Sequence, residues 1–177
     1  MRSSRYEWYA MTALIALAVY CLACMYPTAW SPDSRSVVFP VIVEQGRVVA
    51  LVMCDVKGKP IRDVARVDTN RAGAMVSPAA WSPDGKWISY MQLEPGPGRT
   101  PVGGTGSLIL QDAATGSNKI IARIEYAADE QAERDLIFGV TWTGDSKALV
   151  RVKSDGKASA IVVMGLDGAV LREITVP

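Results

Sequence analysis

From Pro27 onward the chain is written in short apolar or alternating runs separated by turn residues. Val48 to Cys54 is one such run, then Lys57-Gly58-Lys59-Pro60 reads as a turn and Ile61 to Val67 as a second run. The same order follows further on: Ser107 to Leu110, a turn at Ala114-Thr115-Gly116-Ser117, and Lys119 to Ile124. It returns as Ala160 to Met164, a turn at Asp167-Gly168, and Val170 to Val176. Alternation over four to eight residues bounded by Gly, Pro, Asn or Asp predicts strands. Apart from a turn or two over Ala127 to Arg134, no segment after Pro27 carries a helical period, so the expectation is all-β.

The runs are organised by a repeat. Trp30-Ser31-Pro32-Asp33-Ser34-Arg35 recurs as Trp81-Ser82-Pro83-Asp84-Gly85-Lys86, and more loosely as Trp142-Thr143-Gly144-Asp145-Ser146-Lys147. Each copy leads into an alternating strand. Proline presets φ for a turn, and aspartate hydrogen-bonds the backbone that follows it. Gly85 accepts the positive φ that closes such a turn, a role passed to Ser34 and Ser146 in the other copies. Asp33, Asp84 and Asp145 therefore read as turn caps, since burying an aspartate is costly. Short segments precede each tryptophan (Tyr26 to Ala29, Met75 to Ala80, Leu136 to Thr141), which makes four strands per unit and about twelve in all. The units span 27–70, 71–126 and 136–177.

Trp-Ser-Pro-Asp-Gly-Lys before an alternating strand, with a later strand ending in Asp-Gly, resembles the WD-like propeller repeat of TolB-type periplasmic proteins. The same repeat occurs in propeller domains attached to prolyl-oligopeptidase-type peptidases. The resemblance covers nearly all of 27–177. It implies four-stranded antiparallel blades around an axis, about three of them, with Trp30, Trp81 and Trp142 packed between neighbouring blades. Closed propellers have four to eight blades, so three leave one apolar face open at each end. The count is met by a fragment of a longer propeller, by a homodimer of two chains closing a six-bladed ring, or by an arc that closes on another protein.

The first 26 residues differ. Trp8 to Tyr26 carries no charge, and about 20 apolar residues span a bilayer as a helix. Arg2 and Arg5 precede it and the next basic residue is Arg35, which orients the N-terminus to the cytoplasm and exports the rest. An uncleaved signal anchor, a single-pass transmembrane helix, uses the whole run. A lipoprotein signal modified at Cys24 within Leu22-Ala23-Cys24, and a signal cleaved after Ala18, are the alternatives. The expected location is the cytoplasmic membrane with a periplasmic or otherwise extracytoplasmic C-terminal part.

Composition narrows the chemistry. With 19 basic and 18 acidic residues the chain has no basic footprint for nucleic acid. It has no histidine, which excludes Ser-His-Asp and Cys-His catalytic sets and imidazole-bound zinc. Cys54, alone beyond the apolar run, reads as a small buried hydrophobe. Gly103-Gly104-Thr105-Gly106-Ser107 lacks the lysine and helix of a phosphate loop and reads as part of an irregular loop over Pro95 to Gly106. That loop is the best contact-loop candidate on sequence grounds. Glu125, Asp129, Glu130, Glu133 and Asp135 lack calcium-loop spacing and read as a solvated linker. The nucleophile elbow Gly-x-Ser-x-Gly is absent.

No catalytic, cofactor-binding or metal-binding residue is assigned, and no cofactor is expected. The functional expectation is a non-enzymatic, membrane-tethered propeller scaffold that binds a protein or peptide. Its rival is the gating propeller of a prolyl-oligopeptidase-type peptidase whose catalytic domain lies outside this chain. A glycan-binding or lyase-type propeller is a distant third, since it ordinarily uses histidine and clustered carboxylates.

Overall fold

The computed structural model describes residues 28–44, 47–70, 74–96, 104–126, 140–154 and 159–176. Trp8 to Tyr26, the 127–134 segment, Asp129, Glu130, Glu133, Asp135 and most of the glycine-rich loop lie outside them. Among the described residues no helix is long and apolar enough to cross a membrane.

Among the described residues thirteen strands form three antiparallel sheets. The first unit holds β1 (Ala29–Trp30), β2 (Ser36–Val43), β3 (Val48–Asp55) and β4 (Pro60–Asp68), paired in chain order. The third holds β10 (Val140–Trp142), β11 (Ala148–Ser154), β12 (Ser159–Gly165) and β13 (Val170–Val176), in the same order. The second holds β5 (Met75–Val76), β6 (Ala80–Trp81), β7 (Trp87–Pro95), β8 (Gly104–Asp112) and β9 (Asn118–Tyr126). Chain-order antiparallel pairing is what short connections permit, and β7 and β8 keep it across the longer segment between Pro95 and Gly104.

The run read as one strand over Met75 to Ala80 is split into β5 and β6. Pro78 has no N–H to give to the ladder, and the flanking pieces pair with β7 at Leu93/Gln92 and at Ser89/Ile88. Fully buried Ser77 bridges the gap. Its amide donates to Met91 O (2.9 Å), and its hydroxyl accepts from Met91 N (2.8 Å) and donates to Pro78 O (2.8 Å).

The glycine-rich loop is also shorter than its composition suggests. Glu94 pairs with Thr105 and Pro95 with Gly104, so Gly104 to Ser107 are strand. The ladder is made by backbone groups, which glycine supplies as well as any residue. Glu125, read as linker, lies in β9 opposite Thr105, whose hydroxyl donates to its carboxylate (3.0 Å).

The apolar cores lie between sheets. One joins Val38, Leu51, Met53 and Val64 of the first unit to Val76, Ile88 and Tyr90 of the second. The other joins Met91, Leu108, Leu110 and Ile121 of the second to Leu149 and Met164 of the third. Cys54 is buried, as its neighbours implied, and burial pushes its thiol pKa up.

Bulges tie the units together. In β3·β4 the register shifts between Leu51 and Val52, which leaves Val64 as the extra residue. Its carbonyl is taken across the junction by Tyr90 OH (3.3 Å) and Gln111 Nε2 (3.1 Å) of the second unit. The shift recurs in β8·β9 at Leu108/Ile109, where Ile121 is the extra residue and its carbonyl faces Gly168 of the third unit. A Cβ on Gly168 would lie 2.0 Å from Ile121 O, at φ +89°.

Gly168→Ala should therefore combine a left-handed backbone cost of about 1–2 kcal/mol with a steric cost of about 1–3 kcal/mol. Gly58→Ala has a similar φ, +79°, but meets nothing within 4 Å, so only the backbone cost applies. Denaturant titration of the two variants should rank Gly168→Ala as clearly less stable; equal losses would remove the steric argument.

Candidate functional site

The three motif turns have one hydrogen-bond pattern. The Ser31 hydroxyl donates to Asp33 Oδ1 (2.7 Å) and accepts from Ser36 N (2.9 Å), while Arg35 N donates to the same carboxylate oxygen (3.1 Å). Ser82, Asp84, Lys86 and Trp87 repeat this at 2.6, 3.1 and 2.9 Å. Thr143, Asp145, Lys147 and Ala148 repeat it at 2.7, 3.1 and 3.1 Å. The turn-closing residues have positive φ: Ser34 58°, Gly85 72°, Ser146 61°. The aspartates are turn caps, as their sequence context implied. In each, the hydroxyl hydrogen bond, followed by the backbone amide, holds the carboxyl below its ordinary pKa.

Three contacts recur where units meet. Trp81 Nε1 donates to Ala29 O (3.1 Å), the residue before the first tryptophan. Trp142 Nε1 donates to Ala80 O (3.2 Å), the residue before the second. A cation near the start of each fourth strand reaches the next unit's last turn: Arg62 to Ala113 O (2.8 Å), and Lys119 to Leu166 O (3.1 Å). Adjacent motif turns also touch. Asp84 N donates to the Ser146 hydroxyl (2.9 Å), while Pro32 lies against Gly85. Trp81 and Trp142 are thus the inter-unit packing residues expected of them. Trp30 is not: it is 55% exposed, because no unit precedes it among the described residues.

Between the first two motif turns a cleft of about 350 Å³ opens, lined by Ser31, Pro32, Asp33, Ser36, Trp81, Asp84 and Gly85, with Ala113 and Ala114 from the β8–β9 turn. An indole forms one wall and two ionised carboxylates another. The Oδ2 atoms of Asp33 and Asp84 lie only 3.9 and 3.8 Å from Arg35 and Lys86, whose side chains are 86% and 75% exposed. Such pairs are weak, so both oxygens remain open to a ligand donor. Among the described residues no group of three or more His, Cys, Asp or Glu could hold a metal. Sequence reasoning found these residues as turn caps but not as a shared wall. The tandem motif was the only signal that adjacent turns would meet.

No protein-family model matches the sequence, and a search of curated proteins finds no match. Solved structures do match. The β-propeller domain of the Trilobed protease from Pyrococcus furiosus is 16% identical, with 85% of this chain and 41% of that one aligned at a TM-score of 0.54. The fold is of the β-propeller type. Porphyromonas gingivalis dipeptidyl peptidase 4 aligns at 0.57, 13% identical, over 85% of this chain and 24% of that one. A protein described as TolB from Agrobacterium tumefaciens aligns at 0.51, 18% identical, over 84% and 48%. The chain thus spans a quarter to a half of the length of the propeller-containing structures it resembles, and its antiparallel sheets correspond to part of such a fold.

The caps have an acid signature. Their folded-state pKa is lowered, so their contribution is complete above the unfolded value of about 4. It is lost as pH falls through the folded-state value. Denaturation midpoints should be flat from neutral pH to about 5 and fall below about 4. The triple variant Asp33→Asn, Asp84→Asn, Asp145→Asn should be less stable at neutral pH and lose less on acidification. An unchanged acid slope in that variant would show that other carboxyls control it.

Proposed function

We propose that this chain is a non-enzymatic propeller scaffold built from three WD-like, TolB-like repeats, tethered to the cytoplasmic membrane by Trp8 to Tyr26. Its exported part binds a protein or peptide partner. The observation that carries this reading is the cleft between the first two motif turns, with its indole wall and paired carboxylates. Its volume is at the lower end of the about 300–1,000 Å³ range of ligand pockets and admits a short peptide segment or a single protruding side chain. Asp33 and Asp84 would accept from a lysine, arginine or amino-terminal group, and Trp81 would stack on its aliphatic part. The charge asymmetry around the apolar run supports export of this face.

The second reading, a gating propeller of a prolyl-oligopeptidase-type peptidase, is favoured by one observation. Two of the matched structures are peptidases, or domains of one, of which this chain covers 24% and 41%. Under it the cleft would line the route to an active site carried on another chain or domain.

A photo-crosslinking residue at Ala114, on the cleft rim, should give a discrete heavier adduct in the native membrane. A probe at Arg47, in the β2–β3 connection at the opposite end of the first blade, should not. Asp33→Asn with Asp84→Asn should abolish the adduct. Equal labelling from both positions would refute the cleft as the binding site. Peptide hydrolysis by material co-purifying with the chain would favour the peptidase reading.

A further inference from the structure

The two end blades expose complementary halves of the contacts that join the blades inside the chain. On the first blade the unused half is Trp30, Val56 and Ser34. Trp81 and Trp142 donate their indole N–H to the preceding blade, whereas Trp30 has no acceptor among the described residues. Val56 holds the turn position of Ala113 and Leu166, which pack into the two inter-blade cores and offer their carbonyls to a cation. Val56 is instead 57% exposed.

Ser34 is the third member. Ser146 carries the same positive φ, a strained conformation for a residue other than glycine, and its hydroxyl accepts from Asp84 N. Ser34 carries the strain with its hydroxyl in solvent. At Gly85, where the neighbouring turn uses packing alone, the strain is avoided.

The third blade exposes the other half. Val163 pairs with Arg172, as Met53 pairs with Arg62 and Leu110 with Lys119. Arg172 is therefore the next cation of the series, and it points to no following turn. Thr141 precedes Trp142 as Ala29 and Ala80 precede their tryptophans, so Thr141 O is the next indole acceptor. Ile174 follows Arg172 by two residues, as buried Val64 and Ile121 follow Arg62 and Lys119; it pairs with Ile161 instead of forming a bulge, and it is 39% exposed.

We propose that the third blade of one chain docks on the first blade of a second copy. Trp30 Nε1 would then donate to Thr141 O, Arg172 to Val56 O and Asp145 N to the Ser34 hydroxyl. These are the same three contacts that already join blades within the chain, and they bury Val56 and Ile174. A head-to-tail contact either closes or propagates. Two chains contribute six of the described blades, within the four-to-eight range of closed propellers, so closure as a dimer uses both described end faces. This assembly is independent of what the cleft binds.

The full chain in detergent should show, by light scattering corrected for the micelle, twice its 19.0 kDa. Co-expressed chains carrying either V56C or R172C should form a disulfide only between unlike chains, with the unsubstituted chain as control. Arg172→Glu should shift the mass to that of one chain. Ser34→Gly is a second probe: it relieves backbone strain, so it should leave the single chain at least as stable while weakening the dimer. A single-chain mass throughout the micromolar range would overturn the proposal. So would crosslinks only between like positions, which denote a face-to-face dimer, or crosslinks to a different protein.

Discussion

The structure depends on one repeated constraint: an indole N–H must reach a carbonyl on the blade before it. Trp81 to Ala29 and Trp142 to Ala80 set the distance and angle between neighbouring sheets. A tryptophan whose N–H is taken out of water needs a partner, and the carbonyls of Ala29 in β1 and Ala80 in β6 supply it. Once that bond sets the approach, the cation on the fourth strand meets the next turn, and the bulge carbonyls of Val64 and Ile121 face Tyr90 and Gly168. Stability therefore resides at junctions. A blade alone has two apolar faces and no core of its own.

The same geometry sets the motif turns apart from the cores between the sheets. The motif turns are stiffened by their own hydroxyl–carboxylate–amide networks, so Asp33 and Asp84 are held ionised and in place without help from the core. A rigid rim bearing charge next to an indole suits recognition, because little side-chain freedom is left to lose on binding. The cleft exists only because Pro32 and Gly85 bring two such turns together. The end faces are different in kind: Trp30 and Val56 on the first and Ile174 on the third are exposed where their counterparts at the inner junctions are covered.

Much of this was legible in the residues. Strand positions followed from alternation, turn positions from Pro, Asp and Gly, and the capping role of the aspartates from their place in the turn and the cost of burying them. The interruption at Pro78 was not anticipated, since the apolar run continues through it and only the ladder registers the missing N–H. Strand character at Gly104 to Gly106 was hidden because composition reports side chains, while pairing with Pro95, Glu94 and Leu93 is a backbone matter. Arg62 and Lys119 carried no motif. Their equivalence becomes visible only once strand register aligns them opposite Met53 and Leu110.

By itself the sequence determined the all-β class and the local form of each turn, because those rest on contacts between residues a few positions apart. The tertiary structure decided which of three similar tryptophans is covered. It decided which serine in a strained turn finds a partner, and which carboxylates share a wall. The reason is physical: each repeat carries the same groups, and whether a group is satisfied depends on the blade standing next to it.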